Sequence, residues 1–304
     1  MNRFDAILLI AFGGPENPDE IRPFLERVTE GRGIPPARLD EVAHHYELIG
    51  GRSPLNEFTR RQAQGLRERL RRDGRATPVY VGMRNWRPFL GETLEALAAA
   101  RCRRVCGIIL SAFQTEASWE RYMDSVEAAL VALGERAPKV EYAEPWAGHP
   151  LFIRAVADRV AATIEGLPPA SRGAPLVFTA HSVPRSMAEA SPYAEQFAGA
   201  ARRVAEAVGG TRWHLAYQSR SGRPRDPWLE PDVCDVIEEL ARAGEKAVVV
   251  VPIGFVCDHV EVLYDLDVEA RRKALELGMA YHRAPAVNDH PLFIDMLAAV
   301  AESS

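Results

Sequence analysis

The pentapeptide HPLFI occurs twice in this chain, at 149–153 and again at 290–294, an offset of 141 residues. ILSAF ending at Phe113 and VPIGF ending at Phe255 keep nearly the same register, at an offset of 142. Nearer the front, AFGGP from Ala11 aligns with AHSVP from Ala180, but the offset has grown to 169. Self-similarity of this kind predicts an internal duplication, with about 28 extra residues in the first copy. A chain built this way must fold each half into the same topology.

That topology is α/β. Short apolar runs at 6–12, 78–82, 106–113, 176–180, 213–218 and 247–255 alternate with amphipathic helical stretches. Such alternation predicts parallel βαβ units. The Pro/Gly-rich connector at 165–175 interrupts the apolar pattern between two sets of three strands, and the boundary falls there or in the preceding 145–150 segment. The expected domains are 1–150 and 151–304. The extra segment of the first half maps to about 28–57, after the first strand, where excursions of this length form lids or binding loops. Arg32, Tyr46 and Ser53 lie in it and are expected to face a cleft between the halves; the competing reading is a surface helical hairpin.

The run VVVVPIGFVCDHVEVLYDLDVE at 248–269 predicts a buried parallel strand that breaks at Gly254 and enters a helix. Glu261, Asp265 and Glu269 are four residues apart and would share one helix face at the carboxyl end of the sheet, where open α/β sheets bind ligands. Asp258 and Glu261 also have the spacing of a capping box, which needs no function. His259 is expected to point away from Glu261. His181 closes another strand, with Pro184 placed to start the next helix.

The duplication makes each half a control for the other. Phe12 stands where His181 stands, and Trp119 where Glu261 stands. An apolar pair facing a polar pair suits a large flat ligand with one reactive centre. An imidazole and a carboxylate ending two elements can form a proton-transfer pair or an incomplete metal site. No HExxH, nucleophile elbow, Walker loop or GxGxxG occurs. A net charge of -5 argues against nucleic-acid binding. Four cysteines without a CxxC pair fit a reducing compartment, and MNRFDAILLIAFGGP reads as a first strand and not as a signal or membrane segment. A cytoplasmic location is expected.

LLIAFGGP, YELIGGRSPLN, YVGMRNWRPF, TAHSVP, YQSRSGRPRDPWLEPDV and PIGFVCDHVEVLYDLD occur in this order along nearly the whole chain. In these motifs the chain resembles the ferrochelatases, and in its GRGIPP and YQSRSG segments it is most similar to the coproporphyrin ferrochelatases of monoderm bacteria. The resemblance implies two Rossmann-like domains with parallel sheets around a central porphyrin cleft. It implies His181 and Glu261 as the iron-binding and proton-accepting pair, with Asp265 and Glu269 as the acidic row behind it. It implies Ser53 and Tyr122 as porphyrin contacts, joining Phe12, Trp119, Tyr46 and Arg32. Members that ligate product iron through a tyrosine have it where this chain has Phe12. Members with a [2Fe-2S] cluster use a C-terminal cysteine group that has no counterpart here.

The expected reaction is insertion of Fe(II), as substrate, into a porphyrin, with coproporphyrin III preferred over protoporphyrin. No tightly bound cofactor is expected, and a monomer is. A cobalt or nickel tetrapyrrole chelatase and a non-catalytic tetrapyrrole-binding module are the rival readings.

Overall fold

The computed structural model describes residues 3–31, 33–210, 212–221 and 226–303. Among these, eight parallel strands form two four-stranded sheets. The first holds β1 (Ala6–Ala11), β2 (Val79–Met83), β3 (Arg104–Ile109) and β4 (Lys139–Tyr142), in the order β2-β1-β3-β4. The second holds β5 (Leu176–His181), β6 (Trp213–Gln218), β7 (Ala247–Val251) and β8 (Ala280–Arg283), in the order β6-β5-β7-β8. The two sheets share one order and one polarity, as a duplication requires. Of the four inner strands, β1 and β7 are solid apolar runs, AILLIA and AVVVV, in which every residue is buried. Helices covering both faces of a parallel sheet demand this composition.

The six strands read from sequence are present with shifted ends: β1 stops at Ala11, β3 at Ile109 and β7 at Val251, while β2 and β5 each run one residue further. β4 and β8 are edge strands of four residues, KVEY and AYHR, whose partial burial removes the apolar signal.

The chain divides into two compact units. One comprises Met1–Ser111, Glu116–Pro145 and Asp289–Ser304; the other comprises Ala112–Thr115 and Trp146–Asn288. The sequence reading divided the chain at 150/151 and gave the whole C-terminus to the second domain. The helix Pro150–Glu165, which follows β4, lies in the second unit as that division has it, and packs on the helix Tyr193–Ala207. The helix Pro291–Ser303, which follows β8, belongs to the first unit and packs on the helix Leu55–Arg72. Each half of the duplication therefore lends its last helix to the unit built by the other.

The repeated pentapeptide marks the start of these two helices. His149 Nδ1 accepts from the Leu151 amide at 3.2 Å, and His290 Nδ1 accepts from the Leu292 amide at 3.3 Å. In each case the imidazole satisfies one of the orphan amides of a helix start, and the proline that follows supplies a preset φ.

At the end of β1, Gly13 adopts φ +86°, and a Cβ there would lie 2.8 Å from the Trp86 amide nitrogen. Its neighbour Gly14 exchanges two hydrogen bonds with the Asn56 side chain, each 2.9 Å, tying this turn to the helix Leu55–Arg72. In the second unit, Gly254 crosses close over β5. A Cβ on it would sit 2.6 Å from Ala180 Cα, and its amide donates to Thr179 O at 3.0 Å. Only a residue without a side chain lets the β7 exit lie this near β5, and that approach delivers residues 255–261 to the end of His181's strand.

Candidate functional site

His181 is the last residue of β5 and is paired in register with Gln218, the last residue of β6. The turn after it is held firmly: Ser182 N donates to Gln218 O at 2.7 Å, Ser182 Oγ to Leu229 O at 2.8 Å, and Tyr193 Oη to His181 O at 2.7 Å. The imidazole is fixed as well. Its Nδ1–H donates to Ser182 O, which leaves Nε2 to carry the second proton or a metal.

Nε2 faces Glu261 Oε1 at 3.6 Å. Burial alone pushes the His181 pKa down, but the charge and hydrogen bond of Glu261, the Ser182 carbonyl and the Asp265 charge outweigh it and raise it to about 9. For Glu261, burial pushes up, while His181 and then His259 pull harder and hold the carboxyl at about 2. The pair is thus imidazolium and carboxylate at neutral pH. Its side chains keep 32% and 40% of their surface exposed, so the ion pair is open to solvent and to a ligand.

Glu261 stands at the start of a helix that is not α. Val262–Ala270 is a π-helix, and α geometry resumes only at Arg271–Glu276. A spacing of four lies between the α repeat of 3.6 and the wider π repeat, so Glu261, Asp265 and Glu269 still share a face. The capping box does not form. The Asp258 carboxylate accepts from Arg283, the Ala286 amide and Asn288 Nδ2, and Glu261 turns to the histidines. His259 is also placed differently from the sequence expectation. Its Nε2 lies 3.8 Å from Glu261 Oε2, with its Nδ1 taking the Val262 amide and its ring edge-on to Phe255. Burial lowers its pKa, against the opposing charge of Glu261.

Asp265 accepts from Ser219 Oγ and from Gln218 Nε2, the latter at 3.4 Å, while the same Gln218 nitrogen donates to Glu261 O at 2.9 Å. Burial raises Asp265, Ser219 opposes this, and the charges of Glu261 and Glu269 add to it, bringing its pKa to about 7. Gln218, Ser219 and Tyr193 carried no role in the sequence reading. The signal for Gln218 was available, because neighbouring parallel strands of equal length end at one level and their last residues lie side by side. Among the described residues, no group of three or more His, Cys, Asp or Glu side chains is arranged to hold a metal ion.

In the first unit Phe12 is 36% exposed at the end of β1 and stacks edge-on with Phe24, which in turn meets Tyr46 and Trp86. Tyr46 and Ser53 are buried, and the Ser53 amide donates to Pro15 O at 2.8 Å. Trp119 and Tyr122 belong to the core cluster of this unit, with the Arg84 guanidinium 5.8 Å from the Tyr122 ring centre. Arg32 lies outside the described residues.

A family model described as ferrochelatase matches residues 4–304. A coproporphyrin III ferrochelatase of Streptomyces coelicolor is 43% identical over 95% of this chain and 82% of its own length. One of Mycobacterium avium is 45% identical over 97% of this chain and 86% of its own. A ferrochelatase of Rhodopirellula baltica is 40% identical over 98% and 86%. Among solved structures, SirB from Bacillus subtilis with Fe3+ aligns over 97% of this chain and 95% of its own at a TM-score of 0.57 and 13% identity, which shows a common fold. The match over nearly its whole length, and the fold built from two like sheets, make this chain a member of the ferrochelatase family, metal chelatases of the lyase class.

Proposed function

We propose that this chain acts as a cytoplasmic monomer that inserts ferrous iron into coproporphyrin III, releasing two pyrrole N–H protons for each iron taken up. The observation that carries the chemistry is the His181–Glu261 pair, held at 3.6 Å with Asp265 behind it. Coproporphyrin as the macrocycle is supported by what the relatives at 43–45% identity are called. No helix among the described residues is long and apolar enough to cross a membrane.

In this reading His181 starts as an imidazolium. A ferrous ion approaching Nε2 repels that proton, and the freed lone pair becomes an iron ligand or a base for a pyrrole proton. Asp265, poised near neutrality, takes and passes on protons at working pH, which a carboxyl with an ordinary pKa does poorly. Glu261, Asp265 and Glu269 also offer the oxygen ligands that a hydrated divalent ion prefers on entry. Porphyrin contact is assigned to Ser53, Tyr122, Phe12, Trp119, Tyr46 and Arg32. Of the five described, Phe12 offers open surface to a flat ring, and the other four contribute through packing.

Comparative turnover tests the substrate. Under anaerobic conditions kcat/KM for iron insertion is expected to be at least about tenfold higher on coproporphyrin III than on protoporphyrin IX. Equal or inverted values would remove the coproporphyrin assignment and leave the chelatase.

The proposal includes no iron–sulfur cluster. Cys106 and Cys257 are buried, all four cysteines are free, and burial raises Cys102, Cys234 and Cys257. Thiols held protonated are poor cluster ligands. Protein purified anaerobically should contain negligible acid-labile sulfide; near-stoichiometric sulfide would refute this.

A further inference from the structure

Arg283, the last residue of β8, has a side chain only 13% exposed. Its Nη1 donates to Asp258 Oδ1 at 2.8 Å, while Nε and Nη2 donate to the two oxygens of Asp267 at 2.6 and 2.8 Å. Asp258 precedes Glu261 by three residues, and Asp267 follows it by six. One guanidinium therefore grips the chain on both sides of Glu261 and Asp265. Asp258 is fastened further by the Ala286 amide and by Asn288, which also accepts from the Asp258 amide at 2.8 Å. An apolar group in place of a buried ion pair is often no less stable, so a cation sequestered with two carboxylates is weak evidence for a role in stability alone.

The gripped segment contains most of the π-helix Val262–Ala270. Nine residues is long for a form usually limited to one turn, and its hydrogen bonds are less favourable than those of an α-helix. A wider helix rises less per residue. A fork that fixes the distance from Asp258 to Asp267 thus fits the wide helix and resists its relaxation to α. Relaxation would rotate Asp265 and Glu269 relative to Glu261 and draw the start of the helix off His181.

We propose that Arg283 is a positioning residue for metal insertion: by holding Asp258 and Asp267 in one planar fork it keeps the helix between them wide, and so keeps Glu261 on His181. The proposal rests on the role given above to Glu261.

Asp267→Asn tests it. This side chain is 34% exposed and bonds to Arg283, so the substitution breaks the fork without emptying the core. With ferrous iron and coproporphyrin III, well below the variant's melting temperature, kcat should fall at least tenfold while the porphyrin KM stays within threefold. A merely structural residue would lower the melting temperature without that split. Any other result, including wild-type kcat or a rise in porphyrin KM, overturns the proposal. Arg283→Lys keeps the charge but loses the fork, and it is judged by the same criterion should Asp267→Asn not fold. Glu261→Gln measured alongside separates the two readings. If it is crippled and Asp267→Asn is not, Arg283 is excluded; if both turn over normally, the role of Glu261 fails first.

Discussion

His181→Ala should abolish iron insertion, with a loss of at least about 10³-fold in kcat, while porphyrin affinity stays within about tenfold of wild type, about 1.4 kcal/mol. The asymmetry follows from what the side chain touches. The imidazole meets the Ser182 carbonyl and Glu261, so its removal takes the nitrogen that receives metal or proton and leaves the apolar surfaces intact. The strand end does not depend on the imidazole either, because Gln218, Leu229 and Tyr193 hold the turn through Ser182 and the backbone. Insertion is followed by the change in porphyrin absorbance, and binding by quenching of porphyrin fluorescence. Measurable turnover in the purified variant would sink the assignment.

Glu261→Gln should lower kcat by about 10²-fold, and it has a second signature in the pH dependence of stability. In the wild type His181 has a folded pKa of about 9 against 6.5 for the free side chain. Its stabilising share of the pair is complete below about pH 6.5 and disappears as pH rises through about 9. Glu261, held at about 2 against 4.5, gives the acid limb: its share is present above about pH 4.5 and is lost as pH falls through about 2. These are two views of one ion pair and are not added. The melting-temperature gap between wild type and variant should therefore be widest near pH 5–6 and narrow above pH 9. A gap independent of pH would mean that the pair does not form in solution. Wild-type turnover with about 1 kcal/mol lost would leave Glu261 a purely structural partner of His181.

Much of this site was legible because its chemistry sits at a strand end and at the start of the helix that follows a strand, where a change from apolar run to polar residue is plain in the sequence. His181 after LVFTA and Glu261 after VVVVPIGFVCDHV are such transitions. The duplication added a comparison within one chain, since Phe12 and Trp119 occupy the matching positions without any titratable group. The geometry of the 258–270 segment was not legible. Residues four apart share a face in both α- and π-helices, so periodicity could not distinguish them, and His259 faces Glu261 because it lies before the helix begins, where helical periodicity does not set its direction. The Arg283 fork was hidden for another reason. AYHR is too short and too polar to read as a strand, so nothing placed its arginine beside Asp258 and Asp267. The edge strands escaped for the same cause. The last helix was misassigned because sequence order suggests that a helix stays with the strands before it, and here it does not.

That last helix bears on how the protein is made. Ile294 lies 3.1 Å from where a Cβ on Gly65 would be, and Asp295 accepts from Arg69 Nε at 2.7 Å, so the face of the Leu55–Arg72 helix is covered by residues more than 200 positions later. On the ribosome the first unit has all its strands long before it has this cover. The nascent unit waits with that helix face open until the helix Pro291–Ser303 emerges. The second unit has no such wait, because the helix Pro150–Glu165 that it borrows is synthesised before its own first strand. The half made second is thus the one able to finish first.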